Sequence, residues 1–244
     1  VSSLAGTIGS DPGAVGNVTI GAGSSWTMTT LLDISSNLGT GILTLDGGSV
    51  NVPSVAVSDT GTIQGSGTIS GSVTSSGTIR PGEAGTGILS IGGAYTQDLT
   101  GSLFVDIAGP NPGTGYDAVN AGGLVTLAGS LTVALANGYD PSGQSFEIVT
   151  GSAVVGTFTT ATLPPDMTSE YLPDRVVIHG PPGGGCPADL DGDGDADAGD
   201  FFLYLDLFVA CDPNGACEAD LDGDGDADAG DFFAYLDLFV AGCG

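Results

Sequence analysis

The chain has 244 residues, with 29 acidic side chains against two basic ones, and its formal net charge is −27. Such a chain is repelled by nucleic acid phosphates and by anionic membrane surfaces, so we expect neither as a partner. Only 13% of the residues are charged, 44 are glycine, and no apolar run reaches membrane-spanning length, which predicts a β-rich protein without membrane insertion.

Residues 1–180 read as many short β segments separated by glycine. In 42–45 and 131–135 apolar residues alternate with small or polar ones, which indicates strands with one buried face. The stretch 61–82 is a near-tandem of short units that cannot bury a core alone and must stack on neighbours. We therefore predict a mainly β domain, a parallel β-solenoid (β-helix) with glycine at its corners. Over 100–180 longer strands predict a sandwich-like end that shields the last edge from pairing.

The segments 76–109, 116–135 and 146–158 follow one another in the rhythm of a strand-repeat protein. Over 38–180 the chain resembles the passenger repeats of autotransporter-like bacterial surface proteins, which implies secretion and a structural or adhesive role. We predict no catalytic residues. Neither a G-x-S-x-G elbow nor a catalytic Cys–His pair is present, and the single histidine, His179, is interpreted as incidental.

A change of composition at 181–185, PPGGG, predicts a linker to a second domain at 186–244. This second domain contains two near-copies, 188–210 and 219–241, which start 31 residues apart and differ only at Leu203 against Ala234. Each copy begins with an acidic loop and continues into an apolar run of helical length.

Each acidic loop places aspartate at loop positions 1, 3, 5, 7, 9 and 12 and glycine at position 6, which is the spacing of an EF-hand calcium loop. We therefore predict two bound Ca2+ ions. At position 7 the main-chain carbonyl is the expected ligand, and position 12 is Asp where the EF-hand pattern has Glu. The predicted metal ligands are Asp189, Asp191, Asp193, Asp195, Asp197 and Asp200 in the first loop, with Gly194 at position 6, and Asp220, Asp222, Asp224, Asp226, Asp228 and Asp231 in the second, with Gly225.

The duplicated loop-plus-helix unit over 186–244 resembles a dockerin module. With its cysteines and its Gly-Cys-Gly end, it is similar to the cysteine-bearing dockerin-like module of secreted planctomycete-type bacterial proteins. The resemblance implies an extracellular, calcium-folded module that docks onto another protein. Cellulosomal dockerins read their partner at loop positions 10 and 11, which here are Ala198-Gly199 and Ala229-Gly230.

Because those positions carry no side chain able to read a partner, we expect the docking face on the helices, which are apolar nearly all round. The alternative is that so small a module needs all of these apolar groups for its core. The predicted docking residues are Phe201, Phe202, Tyr204, Phe208, Phe232, Phe233, Tyr235 and Phe239.

All four cysteines lie in this second domain, and an even number of cysteines around small repeats predicts disulfides and an oxidising compartment. A two-fold arrangement of antiparallel helices favours Cys186–Cys243 with Cys211–Cys217. Pairing within each repeat is the alternative.

We predict a non-catalytic, calcium-stabilised structural protein. It is expected to assemble with copies of itself, through the dockerin-like module and the β domain, into an extracellular fibre or surface layer. The alternative is a cell-surface anchoring protein or adhesin, whose module docks a β-helix passenger onto a receptor. An enzyme that acts on extracellular polysaccharide is a distant third possibility.

Overall fold

The computed structural model describes residues 2–36, 38–83, 85–181, 188–191, 195–211, 219–221, 225 and 227–242. The chain divides into two compact units, Val1–Pro181 and Pro182–Gly244, which we call the β unit and the helical unit. Except for Pro181, the predicted linker 181–185 lies outside the described residues.

The β unit is built almost entirely from short strands, and the described part of the helical unit contains two helices. The strands are β1 (Ser2–Ser3), β2 (Gly6–Ile8), β3 (Val15–Gly21), β4 (Ser25–Met28), β5 (Leu31–Ile34), β6 (Thr40–Asn51), β7 (Ser54–Val57), β8 (Gly61–Ile69), β9 (Ser72–Ser75), β10 (Thr78–Arg80), β11 (Ile88–Ile91), β12 (Tyr95–Gln97), β13 (Ser102–Ile107), β14 (Ala118–Ala121), β15 (Leu124–Leu127), β16 (Ser130–Leu135), β17 (Ser145–Thr150), β18 (Ala153–Gly156), β19 (Thr160–Thr162), β20 (Thr168–Tyr171) and β21 (Arg175–His179). The helices are α1 (Ala198–Ala210) and α2 (Ala229–Ala241).

Parallel pairing dominates the β unit and follows three lines. One line is the seven-stranded sheet β2-β5-β7-β9-β12-β15-β18. The larger sheet contains the other two lines, β3-β6-β8-β10-β13-β16-β19 and β1-β4-β6-β8-β11-β14-β17, which share the long strands β6 and β8. The chain visits the three lines in rotation, so that each strand between the two ends of a line pairs with strands from the circuits before and after it.

The core is a set of apolar ladders that run across the paired strands. In one line Leu43, Ile63, Ile79, Leu103 and Leu131 are register partners in succession, and each is fully buried. Burying one such side chain contributes about 1.5–3 kcal/mol relative to leaving it exposed. The seven-stranded sheet has an equivalent buried ladder of Leu32, Val55, Val73, Tyr95 and Val125. The alternation read from the sequence is therefore confirmed as the inward and outward faces of parallel strands.

The end of the β unit differs from the sandwich-like end expected over 100–180. Among the described strands, parallel pairing continues as far as β18 and β19, and antiparallel pairing joins β17 to β21 and β21 to β20. The strands after residue 100 were expected to be longer, but they have three to six residues, whereas β6 and β8 before them have 12 and 9. Strands β13 to β19 keep the rotation of the earlier strands. The prediction of a sandwich-like end is therefore corrected to a small antiparallel segment that covers β17.

A buried carboxylate joins two circuits of the β unit. Asp117 is fully buried, and its Oδ1 accepts a hydrogen bond from the Gly87 N–H at 2.7 Å. Its Oδ2 accepts from the Asp106 N–H at 2.9 Å. Burial raises the pKa of Asp117 to about 7, against the lowering effect of these two N–H groups. Nothing in the sequence distinguishes this aspartate from those on the surface.

In the helical unit, α1 and α2 pack antiparallel through their aromatic rings. Phe201 near the start of α1 contacts Phe239 near the end of α2, with ring centroids 5.9 Å apart. Phe208 near the end of α1 contacts Phe232 near the start of α2 at 6.3 Å. The two repeats are thus related by a local two-fold arrangement, and each supplies half of one core.

The raised pKa of Asp117 predicts that the β unit loses stability as the pH rises. The pKa is above its unfolded value of 3.8, so the folded chain keeps a proton that the unfolded chain releases. The stabilisation is complete below about pH 4 and is lost as the pH rises through about 7. Calorimetric unfolding between about pH 5 and pH 8 should therefore show a falling Tm for the β unit.

In the variant Asp117→Asn that fall should be smaller, because the amide cannot ionise. Asp11→Asn, at an exposed turn, is the matched control and should keep the wild-type slope. If the Tm of Asp117→Asn fell with pH as steeply as that of the wild type, the raised pKa assigned to Asp117 would be contradicted.

Candidate metal centre

Carboxylates from both ends of the first loop gather around one shared residue. The side-chain oxygens of Asp189, Asp191 and Asp200 lie within 4.8 Å of one another, and so do those of Asp195, Asp197 and Asp200. Five of the six ligands predicted for this loop are thus brought together, with Asp200 common to both groups.

Asp200 also fastens the two ends of the loop to each other through backbone hydrogen bonds. Its Oδ1 accepts from the N–H of Leu190 at 2.7 Å and of Asp191 at 3.1 Å, and its Oδ2 accepts from the Asp197 N–H at 2.8 Å. These N–H groups, that of Asp197 first, hold the pKa of Asp200 below its ordinary value, although burial opposes them. The carboxylate is therefore ionised at neutral pH and has lone pairs left for a cation.

The last two loop aspartates also cap the helix that follows. Asp197 accepts from the Gly199 N–H at 2.6 Å and forms a capping box with Asp200 at the start of α1. Asp228 and Asp231 form the same box at the start of α2. The sequence analysis missed this role, although Asp-x-x-Asp before an apolar run is a readable capping signal.

The described part of the second loop repeats the arrangement of the first. Asp231 Oδ1 accepts from the Leu221 N–H at 2.7 Å, and its Oδ2 accepts from the Asp228 N–H at 2.8 Å. Gly225 has a φ of 103°, which favours glycine, and its N–H donates to Asp220 Oδ2 at 3.0 Å. The residues of the two predicted loops that lie outside the described ranges are Gly192, Asp193, Gly194, Asp222, Gly223, Asp224 and Asp226.

The donor set of the first loop fits calcium in chemistry and in size. Calcium takes six to eight oxygens at about 2.3–2.6 Å, so that ligands on opposite sides of the ion lie about 5 Å apart. Carboxylate oxygens that lie within 4.8 Å of one another are close enough to bind one such ion together. Asp195 was expected to bind through its main chain, and its carboxylate oxygen lies in the same group as those of Asp197 and Asp200.

Two of the predicted docking residues are buried instead. Tyr204 and Tyr235 are 1% and 0% exposed, and their rings stack with centroids 4.0 Å apart and an interplanar angle of 1°. Tyr235 donates a hydrogen bond to the backbone oxygen of Ala188 at 3.2 Å. These tyrosines form the centre of the core and are not available to a partner, so this part of the docking prediction is corrected.

Both tyrosines lie close to the aspartate that closes the loop of the opposite repeat. Burial raises the pKa of Tyr204 to about 12, and the charge of Asp231 adds to the rise. Burial also raises the pKa of Tyr235, with a further contribution from Asp200. Each tyrosine therefore comes from the helix of one repeat and lies near the loop of the other repeat.

The other six predicted docking residues divide by burial. Phe201, Phe208, Phe232 and Phe239 are half-buried in the core between the helices. Phe202 and Phe233 are both 63% exposed, and the exposed Val209 and Val240 lie about two turns further along the same face of each helix. Of the predicted set, only Phe202 and Phe233 present most of their surface to solvent.

The predicted disulfides fall largely outside the described residues. Cys211 directly follows α1, whereas Cys186, Cys217 and Cys243 lie outside those ranges. Both proposed pairings stay predictions.

His179, interpreted as incidental, forms a hydrogen-bonded chain in the β unit. Its Nδ1 lies 2.8 Å from Ser145 Oγ, and its Nε2 lies 3.0 Å from Glu170 Oε2. A serine, a histidine and a carboxylate in contact is the arrangement that activates a nucleophile. Here the His179 and Glu170 side chains are 38% and 51% exposed, so water competes for every bond in the chain.

No protein-family model matches the chain, and no curated protein matches it significantly. Among the described residues, no helix has both the length and the apolar character needed to cross a membrane.

Removing the charge of Asp200 should disable the first loop. In Asp200→Asn the amide nitrogen cannot accept from a backbone N–H, so the loop loses a ligand and part of its closure. We expect its calcium affinity to fall about 10- to 100-fold in calorimetric titration.

Asp206→Asn is the matched control, because this exposed aspartate of α1 lies outside both carboxylate groups. It should bind calcium as the wild type does. An affinity in Asp200→Asn equal to that of this control would contradict the assigned role.

Proposed function

We propose that this chain is a calcium-stabilised, secreted structural protein without catalytic activity, which assembles with copies of itself into an extracellular fibre or surface layer. The observation that carries the proposal is the pair of aspartate loops, closed by Asp200 and Asp231 in the same way in both repeats. An arrangement repeated at this level of detail supports a specific cation site in each loop over a general surplus of acidic residues.

The helical unit is proposed to be a dockerin-like module with two Ca2+ ions. Its support is the order of loop and helix in each repeat, the local two-fold packing and the ligand spacing of the loops. The metal has a structural role in this proposal: it neutralises the carboxylates and so permits the loops to close.

The β unit is proposed to be a three-sided parallel β-solenoid. Its support is the rotation of the chain among three lines of paired strands, together with the buried ladders that cross them. Among the described residues, β19 ends its sheet and pairs with β16 alone, so its outer edge has backbone groups that another strand could use. The corresponding edge of β18 is partly occupied, because the Val154 N–H donates to the Pro173 oxygen at 2.7 Å. The edge of β19 supports assembly of one copy onto another through the β unit.

The exposed face of the helices is proposed as the second contact in the assembly. Phe202 and Phe233 are the large aromatic side chains most exposed there, and aromatic anchors contribute most to protein interfaces. A cell-surface receptor that captured single chains through the same face would make the protein an anchoring protein or adhesin.

Calcium should control both the folding of the helical unit and the assembly. In excess EDTA the aspartates of each loop repel one another, so we expect circular dichroism to lose most of the helical signal. Electron microscopy should show polymers with calcium and single particles with EDTA.

A helical signal that is unchanged in EDTA would contradict the calcium proposal. Single particles in calcium that bind a distinct surface protein would favour the anchoring alternative. If the chain hydrolysed a polysaccharide ester and Ser145→Ala abolished this activity, the third possibility, an enzyme that acts on extracellular polysaccharide, would be favoured.

The double variant Phe202→Ser, Phe233→Ser separates docking from metal binding. It should bind calcium normally, because neither ring lies among the carboxylates, while the concentration needed for assembly rises about tenfold or more. Leu99→Ser is the matched control, because it replaces a similarly exposed apolar side chain of the β unit by serine. Assembly at the wild-type concentration by the double variant would exclude this face as the contact.

A further inference from the structure

A pocket lies in the β unit where the chain leaves the seven-stranded sheet. The corners after β5 and β12 span 35–39 and 98–101, whereas the two corners between them span only 58–60 and 76–77. Because successive circuits stack on one another, two short corners between two longer ones leave a hollow. The pocket at this place has a volume of about 500 Å³, within the range of small-molecule sites.

Part of the pocket lining is apolar. Ala56 and Val57, at the end of β7, belong to it, and so does Leu38 from the longer corner after β5. Leu38 is 80% exposed and has a φ of 66°, which a residue other than glycine keeps only where the surrounding structure holds it. This corner is tied to the next one, because Thr60 Oγ1 donates to the Gly39 oxygen at 2.6 Å.

The rest of the lining offers hydrogen bonds to a ligand. The exposed Asp59 supplies a carboxylate, whose Oδ1 accepts from Thr100 Oγ1 at 3.1 Å. Among the described residues its Oδ2 has no partner. A carboxylate only accepts hydrogen bonds, whereas a hydroxyl group both donates and accepts. The hydroxyl groups of the lining are those of Ser35, Ser58, Thr60, Thr74 and Ser76.

The mixture of groups in the pocket selects one class of ligand. A pyranose sugar has an apolar face of C–H groups and a rim of hydroxyl groups, and neighbouring hydroxyls can donate to the two oxygens of one carboxylate. A purely apolar ligand would bury Asp59 without a partner, which is costly. An acidic sugar would be repelled, because the chain has a net charge of −27 and none of the lining residues is basic.

We propose that this pocket binds one uncharged pyranose unit of a glycan, with the ring against Leu38 and Ala56 and its hydroxyl groups on Asp59. The inference goes beyond the proposed function and does not depend on calcium, because every lining residue belongs to the β unit.

The sheet beside the pocket offers partners to further sugar units. Thr74, in the lining, is the register partner of Thr96, and Thr96 is the register partner of Thr126. These threonines lie in one row on the outer face of the sheet, one strand spacing of about 4.8 Å apart. An oligosaccharide should therefore bind more tightly than a single sugar.

Calorimetric titration of the full chain with the methyl glycosides of glucose, mannose, galactose and N-acetylglucosamine tests the proposal. We expect at least one of them to bind with a Kd of about 1 mM. The β-1,4-linked trisaccharides of glucose and of N-acetylglucosamine serve as probes of a longer glycan. The better of them should bind about fivefold or more tightly than its methyl glycoside, whereas methyl glucuronoside should not bind. Each affinity should be the same in calcium and in EDTA.

Two variants place the sugar in this pocket. Asp59→Asn should weaken binding about tenfold or more, because the charge-assisted hydrogen bonds are lost. Its matched control is Asp46→Asn, an exposed aspartate of β6 outside the lining. Ala56→Leu fills the pocket and should abolish binding. Its control, Thr7→Leu, changes an exposed residue of β2 in the same sheet, also outside the lining. Both controls should bind as the wild type does.

The outcomes separate this proposal from the calcium proposal. A chain that binds none of the neutral sugars at about 20 mM would overturn the pocket as a sugar site. An unchanged affinity in both Asp59→Asn and Ala56→Leu would do the same. Methyl glucuronoside bound as tightly as the neutral glycosides would overturn the choice of an uncharged sugar. A chain that binds sugar but no calcium would support this inference and overturn the calcium proposal alone.

Discussion

Repulsion between aspartate carboxylates is the constraint on which the whole helical unit depends. Its segment 186–244 holds 16 acidic side chains and no basic one, and it gathers several of the acidic groups within 4.8 Å. Backbone N–H groups around Asp200 and Asp231 stabilise these two carboxylates, but hydrogen bonds do not remove the charge of their neighbours. A divalent cation in each loop would neutralise that charge. Cation binding would then allow the loops to close, the helices to be capped and the core between them to form.

The duplication explains why such a small unit has a core at all. One loop and one helix bury little apolar surface, whereas two antiparallel copies place four half-buried phenylalanines around a stacked tyrosine pair. The same symmetry produces two equivalent exposed faces, at Phe202 and at Phe233. The β unit forms its core in a different way. Its short strands stack circuit upon circuit, and the stacking buries ladders of apolar side chains such as that from Leu43 to Leu131.

Spacing was enough to predict the alternation of the strands, and it selects the five carboxylates of the first loop that the fold brings into two groups. Spacing was not enough to separate the buried Tyr204 and Tyr235 from the exposed aromatic residues. A helix that is apolar on nearly every side has no hydrophobic periodicity that would reveal its buried face. Which face is buried depends on how the partner helix packs against it. The antiparallel end of the β unit depends on contacts between distant strands. Asp117 likewise looks in the sequence like any turn aspartate, and its burial comes from circuits that meet only in the fold.

Native mass spectrometry of the intact chain tests the central claim most directly, because it counts bound ions without relying on a change of conformation. After removal of metal and return of calcium, the account predicts a dominant species that carries two calcium ions, and a species that carries one when Asp189 and Asp191 are both replaced by Asn. A chain that retains no calcium, or that binds many ions without a preferred number, would contradict it.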